Sequence, residues 1–345
     1  MLPSEQLTEL LARPGPILAL APMQDVTDLP FMKLMTRYGG ADLYYTEYFR
    51  VHPDSCLEKP ILRSVDENPT GRPVIAQMIG NDIPSLVGTA KELMQHPVAA
   101  IDLNLGCPAP IVYKKCAGGG LLREPDRIDR ILGALREAVT IRFTVKTRIG
   151  FEDEGVFDRL LPIFAKHGID LLTVHGRTVL QMYRDGVRYD LIGRAAAFLG
   201  CPVLANGNIA SAGDAARIMA ETQVSGLMIG RGAIRNPWLF EQIRAHNQGL
   251  PVVLPTGREV LAYLHDLYDT VTEPGPEISQ VNKLKKYLNF IGVGVEPTGQ
   301  FLHGMRRCTT RAGLFELCTR YLDHDTPMPL EPFAVTAAAG AGQPE

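Results

Sequence analysis

The nine residues Ala100-Ile-Asp-Leu-Asn-Leu-Gly-Cys-Pro108 show the pattern on which the fold prediction rests. Apart from Asp102 and Asn104 the stretch is apolar, and it then ends in glycine, cysteine and proline, as expected of a buried strand that is followed by a turn. Seven other stretches of this kind occur in the first 235 residues, most of them starting about 24–35 residues apart: 17–23, 41–49, 73–80, 143–150, 171–178, 202–209 and 226–233.

Segments with helical spacing of apolar residues separate these runs. Residues 82–96 begin with an aspartate, residues 154–167 end before a glycine, and residues 211–222 begin with a serine, which are ordinary signals for helix ends. Eight alternations of strand and helix predict a (β/α)8 barrel. A doubly wound nucleotide-binding sheet is disfavoured, because the first run ends Ala21-Pro-Met-Gln-Asp25 and carries no G-x-G-x-x-G motif.

The pattern changes after residue 248. Residues 249–257 contain two prolines and two glycines, and the chain beyond them has helical periodicity over 258–271, 279–291 and 297–311. The last residues are rich in alanine, glycine and proline. We therefore predict a catalytic barrel over 1–248, a small all-helical domain over 249–326 and a disordered tail over 327–345.

Composition excludes several classes of protein. The chain has 345 residues, of which 46% are hydrophobic and 21% charged, so disorder over most of its length is excluded. No apolar run is long enough to cross a bilayer, and the first residues lack the pattern of a secretion signal. The six cysteines show neither C-x-x-C nor zinc-ligand spacing. We expect a cytoplasmic protein without membrane or metal; the formal charge of −3 leaves a nucleic-acid partner open.

Candidate site residues are the polar residues at the ends of the runs, because the active site of such a barrel lies at the carboxyl ends of its strands. They are Pro22, Met23, Gln24, Glu47, Gln77, Asn104, Cys107, Lys146, Arg148, His175, Arg177, Asn206, Gly207, Asn208, Gly230 and Arg231. Lys146 is a cation on an interior strand and needs a partner, since an unpaired buried charge costs several kcal/mol. An anionic cofactor ring would serve, and so would an internal ion pair with Glu47 or Asp102.

Two of these positions suit a phosphate group. The loops 206–208 and 230–232 follow the last two runs and lead into helices, where glycine permits close approach and free N–H groups favour anions. The alternative is that these glycines only form tight turns. His175 is a candidate ring contact or an ordinary core histidine. Cys107 is either a buried small hydrophobe or a reactive thiol beneath a mobile lid that carries Lys114, Lys115 and three glycines.

Taken in order, these motifs resemble those of the bacterial tRNA-dihydrouridine synthases, flavoproteins that reduce specific uridines in tRNA. The matching segments are 21–23 with Asp28, 46–47, Gln77, 102–108, 118–122, 145–148, 174–178 with Tyr183, 206–207 and 229–232. Residues 46–51 and 282–288 look most like the C-type branch, which is associated with uridine 16 of the D-loop. Two departures are the insertion of 109–113 before the lid lysines and asparagine at 208, where an acidic residue is commoner.

The resemblance implies FMN as cofactor, NADPH or NADH as reductant, tRNA as substrate and a monomer as the working unit. It implies a hydride to C6 of the uracil and a proton to C5 from Cys107, with Cys116 on the lid as the one rival. Cofactor contacts are implied for Pro22, Met23, Gln24, Gln77, Lys146, His175, Asn206, Gly207, Asn208, Gly230 and Arg231. RNA contacts are implied for Asn104, Arg177, Tyr183, Lys283, Lys286, Arg306 and Arg307.

Three other functions stay open on the sequence. One is a flavin barrel dehydrogenase that acts on a free pyrimidine such as dihydroorotate. A second is a phosphate-binding barrel isomerase without flavin, and a third is an RNA-binding or folding factor in which redox chemistry is secondary.

Overall fold

The computed structural model describes residues 1–184 and 186–333, and in them the eight predicted runs form parallel strands. The strands are β1 Ile17–Leu20, β2 Tyr44–Tyr45, β3 Phe49–Arg50, β4 Val74–Ile79, β5 Ala100–Leu105, β6 Arg142–Arg148, β7 Leu171–His175, β8 Val203–Asn206 and β9 Gly226–Ile229. The second run gives two short strands, β2 and β3, and both pair with β4. Every other run gives one strand.

The strands close into a barrel. Their order around the sheet is β1-β9-β8-β7-β6-β5-β4-β2, and every neighbouring pair is parallel. The circle is completed between β1 and the segment before β2, where Ala19 bridges to Leu43 and the Leu20 N–H donates to the Leu43 carbonyl at 2.9 Å. The predicted (β/α)8 barrel is confirmed.

Helices follow the strands. They are α1 Pro3–Ala12, α2 Leu29–Met35, α3 Lys59–Asp66, α4 Ile83–Leu93, α5 Pro110–Tyr113, α6 Pro125–Ala138, α7 Phe157–Lys166, α8 Tyr189–Phe198, α9 Ala212–Thr222, α10 Arg231–Arg235, α11 Leu239–Asn247, α12 Gly257–Val271, α13 Glu277–Ile291, α14 Gln300–Arg307 and α15 Arg311–Leu322. The three helices predicted between strands are present as α4, α7 and α9. Asp82 begins α4 as expected, accepting a hydrogen bond from the Ser85 N–H at 3.0 Å.

The chain divides into two compact units, residues 1–209 with 213–230, and residues 210–212 with 231 onward. The boundary predicted at residue 248 falls inside the second unit, which therefore includes α10 and α11. A buried contact within this unit shows why, because the Tyr263 hydroxyl on α12 donates to the Ile234 carbonyl on α10 at 2.9 Å. No helix within the described residues is long and apolar enough to cross a membrane.

The end of the second unit differs from the sequence prediction in two ways. The helix predicted over 297–311 is shorter, as α14, and a further helix, α15, follows it. The tail predicted to be disordered from 327 instead begins with packed residues: Pro327 bridges to Thr256, and Met328 and Leu330 are buried. These two apolar side chains are the physical reason, since they bury surface that composition alone does not reveal. Residues 334–345 lie outside the described part of the chain.

The interior of the barrel changes character along its axis. Near the amino ends of the strands it is an apolar cluster, to which α1 contributes two leucines; its buried members are Leu7, Leu10, Ile17, Ala19, Ala21, Leu43, Tyr45, Ile75, Ala99, Ala100, Leu171, Leu204 and Met228. Residues two apart on a strand share a face, so the next interior positions on β5 after Ala100 are Asp102 and Asn104, and on β8 Leu204 is followed by Asn206. Polar groups therefore collect at the carboxyl end.

Candidate active site

A chain of buried side-chain hydrogen bonds crosses three neighbouring strands. Register places Gln77 of β4 beside Asp102 of β5, and Asp102 beside Thr144 of β6. One Asp102 oxygen accepts from Thr144 Oγ1 at 2.6 Å, and the other accepts from Gln77 Nε2 at 2.8 Å. Gln77 Oε1 in turn accepts from Asn104 Nδ2 at 2.7 Å. Two predicted site residues, Gln77 and Asn104, are thus hydrogen-bonded to each other, and Gln77 connects them to the buried aspartate.

Asn104, at one end of this series of hydrogen bonds, holds the backbone of Cys107 in place. Asn104 Oδ1 accepts the N–H of Gly106 and the N–H of Cys107, both at 2.9 Å. The Cys107 carbonyl accepts the Gly119 N–H at 3.2 Å, and the residue is half-buried. The backbone around the thiol is therefore fixed by hydrogen bonds on both sides.

Lys146 stands one step nearer the carboxyl end than Thr144 and lies in register with Asn104. Within the described residues its ammonium group makes neither a hydrogen bond nor an ion pair, so the predicted alternative of an internal pair with Glu47 or Asp102 is not found. Burial and the positive charge of Arg148 lower the pKa of Lys146 to about 8, while Asp102 and Cys107 oppose that shift. An ammonium group held this way favours an incoming anion.

Asp102 is the buried acidic residue of the site, and it is not ion-paired with Lys146. Burial raises the pKa of its carboxyl to about 6, and the hydrogen bonds from Thr144 and Gln77 and the charge of Lys146 oppose the rise. Both carboxyl oxygens accept hydrogen bonds, as an ionised carboxylate does. The site therefore holds one buried negative charge and one cation in adjacent interior positions.

Two arginines at the strand ends donate hydrogen bonds to backbone carbonyls of the neighbouring loops. Arg148 donates to the carbonyls of Gly106 at 3.0 Å, Thr178 at 2.8 Å and Met182 at 2.7 Å, so it ties the loop after β5 to the loop after β7. Arg177 is 1% exposed and donates to the Arg184 carbonyl at 2.8 Å. The guanidinium therefore holds the loop after β7, and the predicted contact of Arg177 with RNA stays a prediction.

His175 and the glycine loop after β8 lie side by side. His175 is buried, and its ring centroid is 6.2 Å from that of Tyr183, whose side chain is 45% exposed. A Cβ added at Gly207 would lie 3.2 Å from the His175 ring, and Gly207 has φ +125°, so glycine is required there on both counts. Asn206 Nδ2 donates to the Met228 carbonyl at 2.7 Å. Asn208 adopts φ +49°, a conformation that asparagine tolerates.

The loop after β1 brings Met23 against Gly230. A Cβ at Gly230 would lie 3.1 Å from Met23 Sδ, so the glycine permits a close approach. Pro22 precedes Met23, whose N–H donates to Thr27 Oγ1 at 2.7 Å. Gln24 Oε1 is buried and has no hydrogen-bond partner in the part of the chain that the structure describes. Arg231 begins the short helix α10.

The three glycines of the predicted lid, 118–120, are buried in this structure. A Cβ at Gly119 would lie 2.8 Å from the Cys107 carbonyl oxygen, and one at Gly120 would lie 2.5 Å from the Tyr113 carbonyl oxygen. The residues are glycines because the segment packs closely against Cys107 and α5. Lys114 and Lys115 are exposed at the end of α5, and the half-buried Cys116 follows them.

Tyr48 is a site residue that the sequence reasoning missed. It lies between β2 and β3, is half-buried, and is close enough to Cys107 for the two side chains to interact electrostatically. Burial and the neighbouring Cys107 raise the pKa of Tyr48 to about 12, so the hydroxyl keeps its proton at neutral pH. The sequence of 46–51 does not reveal this role, because the break between β2 and β3 hides which side chains turn inward.

The basic residues predicted to contact tRNA lie on α13 and α14 of the second unit. Lys286, Arg306 and Arg307 are exposed, whereas Lys283 is half-buried with its ammonium 5.8 Å from the centre of the Tyr287 ring. Lys285 Nζ donates to the Arg306 carbonyl at 3.1 Å and so joins the two helices. The described residues contain no cluster of His, Cys, Asp or Glu that could hold a metal ion.

Comparison with known proteins gives concordant matches. The family model for dihydrouridine synthase (Dus) matches residues 19–323. The chain is 32% identical over 298 residues to tRNA-dihydrouridine synthase B of Pasteurella multocida, covering 84% of this chain and 88% of that protein. It is 38% identical over 229 residues to synthase B of Vibrio cholerae, covering 66% and 70%. It is 31% identical over 287 residues to tRNA-dihydrouridine(16) synthase of Neisseria meningitidis serogroup A, covering 81% and 86%.

Relatives named for synthase B and for position 16 match at similar identity, so the family is confirmed and its C-type branch is not singled out. The family model spans well over half of the chain, and the motifs that carry the resemblance lie at the carboxyl ends of the barrel strands. The chain belongs to the dihydrouridine synthase family.

Proposed function

We propose that this protein reduces the C5–C6 double bond of a uridine in the D-loop of tRNA, at position 16, with bound FMN and with NADPH or NADH as reductant. The observation that carries the proposal is Lys146, a half-buried ammonium group without a hydrogen bond or ion pair among the described residues, in register with the asparagine that positions Cys107. The family match and the relatives named for tRNA-dihydrouridine synthesis support it.

The residues at the carboxyl end fit a flavin. Lys146 offers positive charge to the electron-rich edge of the ring, and the unpartnered Gln24 Oε1 offers an acceptor to a ring N–H. Each amide end of Gln77 retains one further hydrogen-bonding position after its bonds to Asp102 and Asn104. When bound, FMN supplies the hydride. The roles of His175, of 206–208 and of Gly230 and Arg231 in holding ring and phosphate stay predictions.

Cys107 supplies the proton. A thiol that carries its proton can act as a general acid. The proton moves from Sγ to C5 of the uracil as the hydride reaches C6, so the thiol becomes a thiolate and the double bond is reduced. Tyr48 keeps its own proton and can donate a hydrogen bond to that thiolate.

The uridine must leave its stack to reach the barrel mouth. Tyr183 is exposed at the loop after β7 and can stack on a base, whereas the buried Arg177 holds that loop. Lys283, Lys286, Arg306 and Arg307 are proposed to bind the RNA backbone. Replacing all four by alanine should lower the salt dependence of tRNA binding by a slope of about 0.7–0.9 for each phosphate that is no longer neutralised. Flavin reduction by NADPH should be unchanged.

The deciding experiment has two arms. The purified protein should be yellow and hold one non-covalent FMN, and position-resolved mapping should find dihydrouridine missing at position 16 in tRNA from a strain that lacks this chain. Complementation with the parent should restore the modification, and complementation with Cys107→Ala should not. A protein that stays colourless with added FMN, a tRNA map unchanged by the deletion, or turnover of free dihydroorotate would overturn the proposal.

A further inference from the structure

Asp102 is a buried charge that the proposed reaction does not use. It lies in the barrel interior with no exposed surface, below the residues that face the substrate. Its two carboxylate oxygens accept from two different strands, Thr144 on β6 and Gln77 on β4. A buried carboxylate is expensive to maintain, so a hydrophobic residue of similar size would serve a purely structural role at least as well.

The charge fixes the direction of the whole hydrogen-bond chain. An ionised carboxylate only accepts, so Gln77 must turn its Nε2 towards Asp102 and its Oε1 towards Asn104. Asn104 must then present Nδ2 to Gln77, which leaves Oδ1 for the N–H groups of Gly106 and Cys107. Each amide has two possible orientations: the carboxylate selects that of Gln77, and Gln77 acts together with the N–H groups of Gly106 and Cys107 to select that of Asn104.

A neutral residue at position 102 would no longer fix the orientation of the Gln77 amide. With asparagine at 102, the amide could donate to Gln77 instead of accepting, and both amides could then turn over. Asn104 would in that case face the N–H groups of Gly106 and Cys107 with its own Nδ2, which places donor against donor. A buried N–H without an acceptor costs about 1–3 kcal/mol. The turn that carries the thiol would then be held less tightly.

We propose that Asp102 is a positioning residue for Cys107: through Gln77 and Asn104 its charge sets the orientation that holds the thiol-bearing turn in the place from which the proton is delivered. The inference rests on the proposed function, because that function makes Cys107 the proton donor. The placement of the thiol can be tested separately from catalysis.

The test compares site-resolved alkylation of Cys107 by iodoacetamide in the purified full chain, at matched flavin content, with peptides separated by mass spectrometry from those of the other cysteines. In Asp102→Asn the rate at Cys107 should rise at least fivefold, because the half-buried thiol is freed. Asp42→Asn is the matched control, since Asp42 is also buried and accepts from Arg13 at 2.7 Å and from the Leu18 N–H at 3.0 Å. It should leave the Cys107 rate unchanged.

A charge-swapped variant provides the rescue. In the double variant Asp102→Asn with Gln77→Glu, the carboxylate at 77 accepts from both neighbours and again turns Asn104 Oδ1 towards Cys107. Its alkylation rate should return to within about twofold of the parent, and this arm decides the matter if the single variant fails to fold. Equal rates in Asp102→Asn and parent, an equal rise in the Asp42→Asn control, or no rescue would overturn the proposal.

Catalysis gives an independent readout. Asp102→Asn should lower kcat for dihydrouridine formation tenfold or more while KM for tRNA and the rate of flavin reduction stay near those of the parent. A loss confined to flavin reduction would place Asp102 in cofactor binding and contradict the proposal. If the parent forms no dihydrouridine, the proposed function fails, and the alkylation result still reports whether Asp102 positions the thiol.

Discussion

The two ends of the barrel interior are built from the same strands and have opposite character. At the amino end, the side chains of Ala100, Leu171 and Leu204 form a dry apolar cluster. Two to four residues further along the same strands, Asp102, Asn104 and Asn206 occupy the same interior face. The apolar end holds no charge among these residues, whereas the polar end holds a buried carboxylate and a half-buried ammonium group.

The difference shows how one fold separates stability from chemistry. Burial of apolar surface stabilises the folded state and needs no partner of particular geometry. Buried polar groups cost free energy unless they are paired, so they persist where they act on a ligand or on a reacting group. Substitutions at the amino end should therefore change the free energy of unfolding, and substitutions at the carboxyl end should change activity.

The largest effect is expected at Cys107. Cys107→Ala should reduce dihydrouridine formation by about 10²–10⁴-fold, the usual range for loss of a positioned general acid. FMN content, flavin reduction and tRNA binding should be retained, and the denaturation midpoint should change little. Cys116→Ala is the control and should lose little activity. If the two variants behave the other way round in a tRNA reduction assay, the acid is Cys116.

The amino end should respond in the opposite sense. Leu171 is fully buried in the apolar cluster, so Leu171→Ala should lower the free energy of unfolding by about 2–5 kcal/mol. Denaturant titration measures this loss, and activity per folded molecule should stay near that of the parent. A variant that keeps its stability and loses turnover would contradict the separation between the two ends.

Replacing Lys146 should show how much stability the protein loses by keeping a desolvated charge for cofactor binding. Lys146→Met should weaken FMN binding by about 1.5–3 kcal/mol, since the substitution removes a charge-assisted hydrogen bond. The same variant without flavin should be more stable than the parent near pH 7, by on the order of 1–3 kcal/mol, because the desolvated ammonium is gone. Flavin titration and thermal unfolding of the flavin-free proteins measure the two effects.

The gain in stability should depend on pH. The pKa of Lys146 is about 8 in the folded chain and 10.5 ordinarily, so between these values the unfolded chain binds more protons. The free energy of unfolding of the parent therefore rises across this window, and the advantage of Lys146→Met shrinks as the pH goes from 8 to 10.5. An advantage that is the same at about pH 7 and about pH 10 would show that the charge is not the cause.

The smallest effect is expected at Tyr48. Tyr48→Phe removes a hydroxyl that can donate a hydrogen bond to the Cys107 thiolate as it forms, so kcat for dihydrouridine formation should fall about three- to tenfold, corresponding to roughly 1 kcal/mol. Flavin content should be unaffected. Tyr38→Phe, which alters a tyrosine of the first unit outside the site, is the control. A loss as large as that in Cys107→Ala would instead make Tyr48 the proton donor.

The sequence by itself determined the barrel and the end at which its chemistry lies. Nearly continuous apolar runs such as 100–108 require burial on both faces, and eight of them alternating with helices leave one architecture. Polar residues at the run ends, Lys146 and Cys107 among them, follow from the same pattern, because the carboxyl ends of parallel strands meet at one face. Local signals also sufficed for the start of α4 at Asp82.

Only the tertiary structure decided which polar residues meet. Asp102 and Gln77 are 25 positions apart, and the register of β4 with β5 makes them partners. The sequence places Arg177 at the end of a strand, and only the structure shows that it is buried and donates to the Arg184 carbonyl. Spacing along one strand is fixed by local geometry, whereas pairing between strands and the burial of single side chains depend on the free energy of the whole packed chain.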